Sequence, residues 1–149
     1  MVNKGFTLLE ILIVVGILVM AMGLSLPFFS SFQTGTDLRT NNDFLAQSLR
    51  LAQIRAITGY QGSNWGIYLD DSQKKFIVYA GLNYASRVDG LDLETSYGQA
   101  FSLSADFGEE INFSIFSGLP SVNGTTTFAG PNDDFRYNTI NDLGLISIK

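Results

Sequence analysis

Lys4-Gly5-Phe6-Thr7-Leu8-Leu9-Glu10, with the apolar run behind it, decides how this chain is organised. From Ile11 to Leu24 no side chain is charged or polar, and the apolar character resumes after Ser25 and carries on through Phe29. Phe6 to Phe29 is 24 residues. As a helix it spans about 36 Å at roughly 1.5 Å per residue, enough to cross a bilayer core of about 30 Å with some tilt. Glu10 is the one charge inside the run. A lone carboxylate costs about 2.5–3.5 kcal/mol at mid-membrane and less near the interface, so its presence asks for a functional reason.

A secretory signal peptide would place a small-residue cleavage site after the apolar core. Here Pro27-Phe28-Phe29 follows instead. A plain transmembrane anchor gives no reason for Gly-Phe-Thr-Leu-Leu-Glu. The order Lys-Gly, then Phe, then Glu four residues after the Phe, resembles the class III signal of type IV pilins and type II secretion pseudopilins. The likeness covers roughly residues 4–29, including Pro27, which falls where many pilin helices carry a proline and where a kink is expected.

This resemblance implies a set of roles. A prepilin peptidase cuts between Gly5 and Phe6, the new Phe6 amine is methylated, and Glu10 meets the N-terminal amine of a neighbouring subunit. The implied partners are that peptidase, other pilin or pseudopilin subunits, an inner-membrane assembly platform and membrane lipid. The implied location is the inner membrane, N-terminus cytoplasmic and head outside, then the pilus or pseudopilus. Lys4 before the run agrees with that orientation under the positive-inside tendency.

The expected organisation is a leader at 1–5, a transmembrane and assembly helix at 6–29, an amphipathic helix half at 30–59 and a β-rich head at 60–149. About 120 residues remain for a head once leader and membrane half are set aside, near the usual domain size. The 46% hydrophobic content is inflated by the first 29 residues. With no cysteine and no histidine, disulfides, thiolate metal sites and the commonest general base are excluded, and no cofactor is expected. From Ala56 onward five basic residues face eleven acidic ones, a net of −6. Such a head has no electrostatic footprint for a nucleic-acid backbone.

Ser30 to Thr36 is polar, and Gly35 weakens a helix there. Either one helix continues through it or a second helix starts at a Thr36 or Asp37 cap. Asp37 to Thr58 is helical by pattern. Leu38, Leu45, Leu49, Ala52 and Ala56 share one face, widened by Phe44 and Leu51, while Asn42 lies mostly elsewhere. Gly59 is the expected terminator. The segment Phe44 to Ile57 followed by Trp65–Leu69 also resembles minor pilins and pseudopilins of the GspH/FimT kind, departing from them at Gln53.

Trp65–Leu69, the turn Asp70–Gln73 and Lys75–Tyr79 read as a β-hairpin with Asp70 and Asp71 solvated at its tip. Shorter strands are expected at Leu91–Glu94, Ala100–Leu103, Glu110–Phe116, Thr125–Phe128 and Gly144–Ile148, the last closing the sheet. Helix first, then only strands, is an α+β layout: a long N-terminal hydrophobic helix, pilin-like, packed on an antiparallel β-sheet head. Gly130–Asp134 reads as a surface turn rather than a calcium loop. Paired Asp and Glu neighbours point apart on strands, so no enzymatic activity is expected. The readings left are a structural or assembly subunit, a minor pilin or pseudopilin, of a type IV pilus, competence pilus or type II secretion system; a major pilin; or a membrane-tethered binding domain that never polymerises.

Overall fold

The computed structural model describes residues 6–149, with the side chains of residues 24–32 and 132 outside the description. Two compact units are present, one reaching to Thr34 and the other Gly35–Lys149. A single helix, α1 (Leu8–Ile57), contributes to both. It is helical through Pro27 and Gly35, so no second helix starts at Thr36 or Asp37.

Among the described residues no helix is long and apolar enough to cross a membrane. The 24-residue span counted from sequence runs through Leu24–Phe29, whose side chains lie outside the description.

In the Gly35–Lys149 unit, the face chosen by the 3.6-residue period is the buried one: Leu38, Leu45, Leu49, Ala52 and Ala56 are inside. Phe44 and Leu51, expected to widen the stripe, are exposed instead, and the face widens through Ala46 and Asn42. Close packing explains the choice, because small Ala46, Ala52 and Ala56 let strands approach the helix where bulky rings would not fit. Gly59 ends the helix in the left-handed conformation (φ 62°), as its lack of Cβ allows.

Eight strands follow: β1 (Trp65–Asp70), β2 (Lys75–Ala80), β3 (Leu93–Ser96), β4 (Ser102–Ala105), β5 (Glu110–Phe113), β6 (Gly124–Ala129), β7 (Phe135–Ile140) and β8 (Ile146–Ile148). They form two four-stranded antiparallel sheets, ordered β3-β2-β1-β5 and β4-β6-β7-β8. The fold is α+β, with two sheets where the sequence suggested one. The tail therefore pairs with β7 at the edge of the second sheet rather than closing the first. β5 stops at Phe113, because the chain turns at Ser114–Ser117 back to the helix end.

The register Trp65↔Ala80, Ile67↔Val78, Leu69↔Phe76 and Ile67↔Ile111 puts one row of apolar side chains toward the helix. Leu103, Phe128, Ile140 and Ile146 of the second sheet join the same core. Tyr97 meets Phe128 edge-on, with ring centroids 5.1 Å apart.

Candidate functional site

Thr7 precedes α1, and its Oγ1 accepts from the Glu10 N–H at 3.2 Å. That is the forward half of a Thr-x-x-Glu capping box, so Thr7 and Glu10 both belong to the first turn of the helix. The spacing was present in the sequence as a signal for where the helix starts. Glu10 is exposed, Phe6 is 78% exposed, and the large apolar side chains from Leu8 to Met22 are exposed all round the helix. A helix that is apolar on every face is stable only when something covers it, either other helices or lipid. Gly5 lies outside the described residues, and so does the side chain of Pro27.

Several of the head's charged groups are engaged in structure. Asp71, expected to be solvated at the hairpin tip, instead joins the two sheets. It accepts from the Leu103 N–H of β4 at 2.7 Å, from the Tyr97 hydroxyl at 2.8 Å and from Lys74 at 3.0 Å. Burial pushes its carboxyl up, but those three donors outweigh burial and hold it below the ordinary value. Asp70 stays at the turn, accepting from Ser72 Oγ at 2.6 Å and the Gln73 N–H at 3.0 Å.

On the outer face of the first sheet the loop after β2 folds back. Tyr84 stacks on Tyr68 with centroids 4.0 Å apart, and the Tyr84 N–H donates to Glu110 Oε2 at 2.8 Å. Burial first, with Glu110 adding to it, pushes the Tyr79 hydroxyl up to about 12, so it stays protonated and donates to Glu110 at 3.3 Å. Asn112 is buried under this loop and donates to the Gly81 carbonyl at 2.7 Å. Lys75 pairs with Glu94 at 3.1 Å, Arg87 with Asp92 at 2.7 Å and Arg136 with Asp134 at 3.2 Å. Among the described residues no group of three or more acidic side chains is placed to hold a metal ion.

A helix whose buried stripe meets a hairpin and a second small sheet can be compared directly with solved structures. The minor pseudopilin EpsH from the type 2 secretion system of Vibrio cholerae superposes with a TM-score of 0.59, at 16% identity over 76% of this chain and 96% of that one. The type IV minor pilin FimU of Pseudomonas aeruginosa gives 0.61, at 17% identity over 74% and 91%. The head has the fold of minor pilins and pseudopilins.

A second EpsH structure agrees, at 0.58 and 12% identity over 76% of this chain and 96% of that one. No family model and no curated protein sequence matches the chain. The pilin-like fold thus supports the GspH/FimT likeness read from Phe44–Ile57 and Trp65–Leu69. At this identity the likeness is one of fold.

Proposed function

We propose that this chain is a structural or assembly subunit, a minor pilin or pseudopilin, of a type IV pilus, competence pilus or type II secretion system, and has no catalytic role. Two features support the reading together: the head's likeness to FimU and EpsH, and the motif Lys4 to Glu10 at the start of an all-apolar helix. In this reading a prepilin peptidase cuts between Gly5 and Phe6, and Phe6 is then methylated. The helix is stored in the inner membrane with its N-terminus cytoplasmic and its head outside, and lipid covers the exposed side chains of residues 8–22. The assembly platform then moves the subunit into a filament where neighbouring helices replace lipid.

Glu10 explains itself in that setting. A buried carboxylate among packed helices needs a cationic partner. The methylated Phe6 amine of an axially staggered neighbour is a fitting one. Pro27 is the place in α1 where the helix can yield during packing, since proline removes one helical hydrogen bond. The test is recovery of the processed chain in sheared filaments. A chain found only in membranes, in cells that assemble filaments, would refute the proposal.

A further inference from the structure

The two sheets differ on the faces they turn away from the core. The first is covered and charged there. Tyr84 lies over Tyr68, and Lys75, Glu94 and Glu110 stand on the same side. The second sheet has no aspartate or glutamate in any of its four strands. Yet the Gly35–Lys149 unit holds thirteen acidic residues against eight basic ones, a net of −5. The one charged side chain in those strands, Arg136, is in register with buried Phe128, hence on the core side, and pairs with Asp134.

Register sets the outward residues in rows. Ser104, Thr127 and Tyr137 line up across β4, β6 and β7. Thr125, Thr139 and Ser147 make the next row across β6, β7 and β8. Ser102, Ala129 and Phe135 make the row on the other side. None of the nine is buried. Seven carry a hydroxyl, and none of those hydroxyls bonds another group among the described residues. Phe135 and Tyr137 stand side by side along β7, ring centroids 6.5 Å apart and planes within 21°. With strands about 4.8 Å apart, the four make a platform about 14 Å across.

Strand propensity accounts for threonine and aromatic rings on a sheet. It does not account for the missing charge, because open sheets ordinarily use charged side chains to keep other chains away. Composition then selects the occupant. An anionic polymer is repelled by the head's net charge. A protein partner fits poorly, since interfaces are depleted in serine and alanine, and serine and threonine seldom carry binding energy. Each hydroxyl covered without a new partner costs free energy. A neutral sugar chain offers every hydroxyl both a donor and an acceptor in place of water, and its C–H groups can lie against the rings.

We propose that the outward face of the second sheet binds an extended, neutral, β-linked polysaccharide. The chain runs along β7, with Phe135 and Tyr137 touching neighbouring sugar units and the flanking serine and threonine hydroxyls bonding the sugar hydroxyls. This inference does not rest on the filament reading.

The probe is microcrystalline cellulose, with the full chain held in a detergent that has no sugar headgroup. The chain should be retained, be released by soluble cello-oligosaccharides, and be indifferent to about 0.5 M salt, since no charge takes part. Tyr137→Ala should weaken retention about tenfold, as loss of an aromatic anchor does, and Tyr137→Phe much less. Thr127→Glu should abolish retention by setting an unpaired carboxylate under the sugar. All three variants should keep the wild-type melting temperature, because both side chains face outward. Failure of the folded chain to bind cellulose overturns the proposal, and so does retention unchanged by Tyr137→Ala and Thr127→Glu. Retention lost in salt would mean attraction by charge and also overturns it. If Tyr137→Ala lowers recovery in sheared filaments while cellulose retention is unchanged, the face contacts protein and the proposal falls. The filament reading is tested separately, by recovery of the wild-type chain in filaments.

Discussion

Asn42 of α1 and Asn138 of β7 meet side chain to side chain inside the head, 96 positions apart in sequence. Asn138 Nδ2 donates to Asn42 Oδ1 at 2.8 Å, and Asn42 Nδ2 returns a longer bond to Asn138 Oδ1 at 3.4 Å. Both residues are buried, at 1% and 0% exposure. The pair fixes where the second sheet sits along the helix, because sliding either element strands two amides away from water.

Replacing one partner should therefore cost more than replacing both. Asn42→Leu leaves the buried Asn138 amide with only a long bond to the backbone carbonyl of residue 42, at 3.4 Å, a penalty of about 1–3 kcal/mol. The double variant Asn42→Leu/Asn138→Leu should recover most of that loss. Urea denaturation of the four variants would measure it as a double-mutant cycle. Simple additivity would mean the amides do not act as a pair.

This pair also marks where the sequence stopped being readable. The helical period placed Leu38, Leu45, Leu49, Ala52 and Ala56 inside, and the 2-residue period placed the β1–β2 hairpin, because both signals are local. β7 was missed because it inverts the usual pattern: Phe135 and Tyr137 face outward while Asn138 faces in. Only Asn42, far away along the chain, makes a buried asparagine acceptable there. Asp71 was misread for the same reason, since its donors Tyr97 and Leu103 are brought to it by the fold. At the candidate site, the motif from Lys4 to Glu10 is a pattern of the sequence alone, with Lys4 and Gly5 outside the described residues, whereas the left-handed backbone of Phe116 (φ 63°) is a property that no residue pattern announces.

Asp71 predicts a pH response. Its carboxyl is held below the ordinary value, so its contribution to stability is present above the unfolded carboxylate value of about 3.9 and is lost as pH falls through the lower folded value. Asp71→Asn should destabilise the head at pH 6, since an amide replaces the charge that Lys74 and the Leu103 N–H meet. The gap between wild type and variant should shrink below about pH 4. Thermal melts from pH 6 to pH 2.5 would follow it. A gap that stays constant across that range would mean the carboxylate charge is not what joins the sheets.

Processing should leave Phe6 as the first residue of the mature chain. Gly5 offers the peptidase no side chain to avoid and directly precedes the apolar run. Mass spectrometry of the N-terminal peptide from membranes should find methylated Phe6. With Gly5 replaced by a bulky residue, the precursor should accumulate uncut and remain outside filaments. An intact Met1 terminus in cells with active peptidase, or a cut after Leu26, would remove processing from the proposed function.

Glu10→Ala should leave both cleavage and membrane insertion intact, because the substitution makes an already apolar helix more lipid-like. Its effect should appear only where helices pack against one another. There the Phe6 amine of a neighbouring subunit would lose its carboxylate, and breaking one half of a buried ion pair costs about 3–5 kcal/mol. An exposed pair would be worth at most about 1 kcal/mol, so the size of the loss reports burial. Capping argues for the same separation of effects, since the Thr7 bond uses the Glu10 backbone N–H and survives the change. A plain anchor predicts the opposite, with unchanged function and slightly firmer insertion. The decisive quantity is the ratio of variant to wild-type chain in sheared filaments, normalised to the membrane pool. A steep fall supports a buried Glu10–Phe6 pair between subunits, and an unchanged ratio means that Glu10 plays no part in assembly.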